Sequence, residues 1–115
     1  MQLVLQGAYL DFFPDLRAYV DRRLAYALIH CKAAVKEATV SLRNRKSSRQ
    51  GAEWTCAIRL ILRGRGKIVA RALNSLASDA IDDAFARLSQ DVGRKIRLRR
   101  AEHLETLPPA RTRRR

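Results

Sequence analysis

The chain has 115 residues and carries 24 Lys and Arg against 11 Asp and Glu, giving a formal charge of +13 and a pI near 11.2. With 47% apolar and 30% charged residues it is long enough for one domain around a single core, too short for two, and too apolar for a disordered chain. No run reaches the length of a membrane span, the first residues lack the pattern of a signal peptide, and Cys31 and Cys56 with His30 and His103 make neither a disulfide framework nor a metal-ligand spacing, so a reduced, cytoplasmic setting is expected.

In chain order, "QLVLQG" alternates, Leu3 and Leu5 facing one way and Gln2, Val4 and Gln6 the other, which predicts a short half-buried strand ended by Gly7. The period then changes. In "DFFPDLRAYVDRRLAYALIHCKAA", Leu16, Val20, Leu24 and Leu28 recur at helical spacing with Tyr19, Ala27 and Cys31, and Pro14 and Asp15 suit a first turn. "EATVSLR" alternates again, with Val40 and Leu42 inward and Thr39, Ser41 and Arg43 outward. "NRKSSRQG" reads as a basic loop.

"EWTCAIRLIL" predicts the longest strand, with Trp54, Cys56, Ile58, Leu60 and Leu62 on one face and Thr55, Ala57, Arg59 and Ile61 on the other. The glycines of "RGRG" suit a hairpin turn, and "KIVARAL" returns with Ile68, Ala70 and Ala72 inward and Lys67, Val69 and Arg71 outward. A final helix is predicted from Ala77 to Arg100 on the stripe Ile81, Phe85, Leu88, Val92 and Ile96. Ser75 or Ser78 offers its cap. The remainder, residues 101–115, reads as a flexible basic tail.

The expected architecture is an α+β two-layer β-α-β-β-β-α sandwich, residues 1–100, with two helices on one face of a four-stranded sheet. The other sheet face is left open and carries Arg43, Arg59 and Arg71.

The charge is unevenly spread. "VGRKIRLRR" ends the last helix with five basic residues, where one or two would complement the helix dipole. At about 100° per residue, Arg97, Arg99 and Arg100 surround the helix beyond Ile96, with Arg94 and Lys95 just before. The same bias recurs at Arg22 and Arg23 and at Arg43, Arg45 and Lys46. Recurrence on separate elements points to a polyanionic partner, and a preference for Arg over Lys suits forked contacts to phosphate.

Other function classes find little support. His30 and Cys31 are adjacent on a helix and diverge by about 100°, so they form no catalytic dyad. Asp82 and Asp83 diverge likewise, and "RGRGK" lacks the spacing of a phosphate-cradling loop. No enzyme, cofactor, metal site or small-molecule substrate is expected. Both helices have a sheet on which to bury their apolar faces, which leaves none for a membrane surface. The open sheet face offers no aromatic residue for base stacking, because Trp54 alternates inward. Recognition of structured RNA by shape and phosphate fits best.

The ordered elements resemble the ribosome hibernation promoting factor and ribosome-associated translation inhibitor family. "MQLVLQG" is similar to that family's opening strand, "DLRAYVDRRL" to its first helix, and "AIDDAFARLSQDVGRKIRLR" to its second. The resemblance covers residues 1 to about 100 and implies a fold like a double-stranded-RNA-binding domain with an added strand. It also implies binding to the small ribosomal subunit and its rRNA, with the decoding region blocked and the ribosome held inactive under stress.

By position the resemblance assigns RNA contact to Arg23, Arg87, Arg94 and Lys95. Arg22, Arg43, Arg45, Lys46, Arg97, Arg99 and Arg100 join them on charge alone. The sequence departs from the family at Leu76, Ala77 and Ser78, where an Asp-(Met/Leu)-Tyr segment is usual, and at Gln90, commonly basic. Longer members carry a C-terminal dimerisation domain not found in these residues, so a monomer is expected. The alternative is a stand-alone RNA-binding or RNA-chaperone module that does not act on the ribosome.

Overall fold

The computed structural model describes residues 1–47, 51–64 and 66–106, with side chains described for 1–45, 53–64 and 66–95. Strand β1 (Gln2–Gln6) leads through a short helix α1 (Ala8–Phe12) into α2 (Pro14–Ala27). After a 3-10 turn at Lys32–Ala34 come β2 (Val35–Ser47), β3 (Gly51–Leu62) and β4 (Lys67–Asn74), and then α3 (Ala77–Thr106). The sheet order is β1-β2-β3-β4, with β1 parallel to β2 and the other pairs antiparallel. This is the expected α+β sandwich, with α1 as an added helix.

One face of the sheet holds the core. Val40 and Leu42 of β2, Cys56, Ile58 and Leu60 of β3, and Ala70 and Ala72 of β4 are buried against Val20 and Leu24 of α2 and Ile81, Phe85 and Leu88 of α3. Period two on the strands and a period near 3.6 on the helices bring these side chains to one layer. Both cysteines are buried thiols of this layer, and burial pushes the Cys56 thiol up to about 12. Burial raises the Cys31 thiol as well, which disfavours the thiolate at both positions. Trp54 also faces this side, half-buried, with its ring edge-on to Tyr9 at 4.6 Å.

The path from β1 into the helices depends on Gly7. Its φ of 114° disfavours any side chain, and a Cβ there would lie 2.4 Å from the Leu42 carbonyl oxygen. The chain enters α1 at once and buries Leu10. Pro14 then opens α2. The sequence placed a single helix opening at Pro14, where α2 does begin, and missed α1.

Other boundaries differ for physical reasons. Helix α2 stops at Ala27, not near Ala34, and consecutive turns follow, with Cys31 N–H donating to the Leu28 carbonyl and Ala34 N–H to that of Cys31. Turns of three residues keep Leu28, Cys31 and Val35 in the core, so the apolar spacing cannot tell them from a continuing helix. Strands β2 and β3 also run through most of the predicted loop, pairing Asn44 with Trp54, Arg45 with Glu53, Lys46 with Ala52 and Ser47 with Gly51.

Helix α3 starts after Leu76, whose carbonyl accepts from Ala80 N–H, so neither Ser75 nor Ser78 occupies the cap position. It continues to Thr106, past the predicted end at Arg100 and into the segment read as tail. Its backbone extends about 16 Å beyond Lys95. Residues 107–115 lie outside the described residues. No helix among the described residues is long and apolar enough to cross a membrane.

Candidate nucleic-acid interface

The basic residues fall on two opposite faces of the sandwich. On the helix layer, α2 and the described side chains of α3 carry six basic residues (Arg17, Arg22, Arg23, Arg87, Arg94, Lys95) and six Asp. Several of these charges have partners within the protein. Asp82 accepts the Tyr19 hydroxyl across the α2–α3 contact and lies 3.7 Å from Arg23 Nε. The Arg23 guanidinium also rests over the Phe85 ring, 5.6 Å from its centroid. The hydrogen bond to Asp82, then burial, raise the Tyr19 pKa above its ordinary value. These four residues join the two helices.

Arg87 and Arg94 are engaged too. Arg87 Nη1 donates to the Arg71 carbonyl at 2.6 Å, capping an outer-edge carbonyl of β4. Arg94 pairs with Asp91 one turn earlier. Lys95 is half-buried, its stem lying beside Cys31, Leu60, Leu62 and Val92 at one end of the core. Arg22 is exposed and has no ion pair among the described residues.

The open sheet face is different. Its outward positions carry Arg43, Arg45, Arg59, Lys67 and Arg71, all exposed, against Glu37 and Glu53. The register sets Arg43 opposite Thr55, Arg59 between Thr39 and Val69, and Arg71 opposite Ala57, so no two basic residues are direct cross-strand neighbours. Only Arg45 has an acidic neighbour, Glu53, and none of the four arginines makes an ion pair among the described residues. Arg43, Arg45 and Arg71 rim a concavity of about 640 Å³ whose floor is Ser41, Thr55 and Ala57.

The structure thus separates the residues selected from sequence. Arg43 and Arg45 lie on the open sheet face. Arg22, Arg23, Arg87, Arg94 and Lys95 lie on the helix layer, where Arg23, Arg87 and Arg94 already have partners. The backbones of Lys46, Arg97, Arg99 and Arg100 belong to β2 and α3, while their side chains lie outside the described set. The sequence placed Arg43, Arg59 and Arg71 together on the open face but did not count Arg59 and Arg71 among the contacts; the register adds that Arg43 and Arg71 flank Thr55 and Ala57 of β3.

The domain is a two-layer α+β sandwich with helices on one side of its sheet and, on the other, arginines that make no ion pair among the described residues. The fold matches a solved ribosomal subunit interface protein from Coxiella burnetii with a TM-score of 0.66 at 18% identity, covering 84% of this chain and 99% of that one. What the two share is the fold, in line with the sequence resemblance. No family model and no curated protein matches the sequence.

Proposed function

We propose that the chain is a ribosome-associated translation inhibitor that binds small-subunit rRNA through phosphate contacts and occupies the decoding region. The single observation that carries this reading is a +13 charge on the fold of a ribosomal subunit interface protein. The proposed action is occupancy: the domain fills space that messenger and transfer RNA need, and no bond is made or broken. Arg22, Arg94, Lys95, Arg97, Arg99 and Arg100 are the proposed contacts from the helix layer, with Arg43, Arg45 and Lys46 from β2. Arg23 joins α2 to α3 and Arg87 ties α3 to β4, so these two add to the positive field with side chains that are already engaged.

Sedimentation tests it. Tagged protein should travel with small subunits or whole ribosomes at moderate salt and slow translation in an extract. Affinity should fall with salt at a log–log slope of roughly −0.7 to −0.9 per phosphate contacted. Recovery in the ribosome-free fraction alone, with RNA binding intact, would favour a stand-alone RNA-binding module.

A further inference from the structure

We propose that the concavity on the open sheet face is a binding trough for an unpaired RNA strand, held by Arg43, Arg45 and Arg71 and approached past Arg59. This deepens the reading of the chain as an RNA-binding domain and rests on it. It adds Arg59 and Arg71 and a second contact surface, opposite the helices.

Three observations carry the inference. The first is chemical. Arg43 on β2 and Arg71 on β4 stand on either side of β3, whose Thr55 and Ala57 with Ser41 form a low floor. Guanidinium forks above a floor of small side chains let a phosphate come close to the sheet, where Ser41 and Thr55 hydroxyls can also donate to it.

The second is dimensional. The backbones of β2 and β4 are two inter-strand spacings apart, about 9–10 Å. Arg43 pairs with Thr55 and Arg71 with Ala57, so the two arginines are also offset by two residues along the strands and their Cα atoms stand about 12 Å apart. That span lets one sugar–phosphate strand cross β3 with a phosphate near each guanidinium. No aromatic side chain stands at the outward positions of the described strands, so bases have no stacking platform and the strand is held by its backbone without sequence preference.

The third is energetic. Clustered like charges oppose the compact state. On the helix layer this is relieved by an equal number of Asp residues, whereas Arg43, Arg59 and Arg71 have no ion-pair partner among the described residues. A polyanionic strand supplies the missing counter-charge. The arginines are also set on hydrogen-bonded strands, so little backbone freedom is lost on binding.

The test uses the full chain and a fluorescently labelled oligouridylate of about twelve nucleotides, read by anisotropy at several salt concentrations. Replacing both Arg43 and Arg71 by Gln should weaken binding at least tenfold and reduce the salt slope by roughly 1.4, two single-strand phosphates' worth. Both positions are exposed, and circular dichroism confirms the fold. Unchanged oligouridylate binding by this variant would overturn the proposal. So would tighter binding of a blunt RNA duplex than of the single strand, or equal binding of an acidic polypeptide. Ribosome sedimentation separates this proposal from the broader one. Loss of oligouridylate binding in R43Q/R71Q, with wild type absent from ribosomes, would uphold the trough and reject the ribosomal reading. Wild-type sedimentation alongside unaltered oligouridylate binding by the variant would do the reverse.

Discussion

The helix layer and the open sheet face are built from the same residue types and use them in opposite ways. On α2 and the described part of α3, basic and acidic residues are equal in number, and Asp82 and Asp91 hold Arg23 and Arg94. There charge serves cohesion. Across the sheet, Arg43, Arg59 and Arg71 face Thr, Val and Ala neighbours and have no ion pair among the described residues. There charge is left for a partner. A net charge of +13 says that a polyanion is wanted; only the register says where on the described surface it meets unpaired arginines.

The largest effect should come from reversing the sheet face. Arg43→Glu with Arg71→Glu removes two charge-assisted contacts of about 1.5–3 kcal/mol each, so RNA affinity should fall on the order of a hundredfold or more, measured by filter binding. A loss no larger than that from Arg22→Glu alone would erase the contrast between the faces.

The helix layer should respond in stability instead. Asp82→Ala removes the acceptor for Tyr19 and the counter-charge of the half-buried Arg23. It should cost about 1–3 kcal/mol and several degrees in Tm, with RNA affinity within about twofold of wild type. Calorimetry beside binding curves decides whether the two properties separate. Asp91→Asn is a subtler change. It releases Arg94 from an exposed pair of about 0.2–0.5 kcal/mol and should raise RNA affinity up to about twofold if α3 contacts RNA. No change would confine binding to the sheet.

The smallest effect is alkaline. The Tyr19 pKa is raised in the folded state, so its contribution is fully present below the ordinary value of 10.0 and is lost as pH rises through the folded value. Above pH 10 wild type should therefore lose stability faster than Tyr19→Phe, by a small amount because Tyr19 is only half-buried. Urea midpoints of both proteins across that range measure the difference.

These contrasts also mark what the sequence could convey. Where one face of an element meets the core, the pattern is written in the residues: Val40 and Leu42, Cys56 to Leu62 on alternate positions, and Ile81, Phe85, Leu88 and Val92 all lie where their spacing puts them. Beyond the core the pattern fades. Residues 44–47 form a ladder, but their polar and basic side chains carry no apolar alternation, so they read as loop. Helix α1 is five residues long and buries only Leu10 fully, with Tyr9 packed beside it, too short a run to show a helical period. The Arg23–Asp82 pair joins residues far apart in the chain, and local spacing is silent about it. The trough needs Arg43 and Arg71 placed across β3 from each other, a matter of register and not of composition.

The most direct test of the central claim is a competition on the small subunit. Small subunits programmed with messenger RNA and carrying labelled transfer RNA are titrated with the protein, and retained label is measured by filter binding. Occupancy of the decoding region predicts that the label is displaced as the protein saturates the subunits. The displacement should weaken at high salt and fail with Arg43→Glu/Arg71→Glu. Full retention of transfer RNA on subunits that sedimentation shows to be saturated with protein would contradict the account.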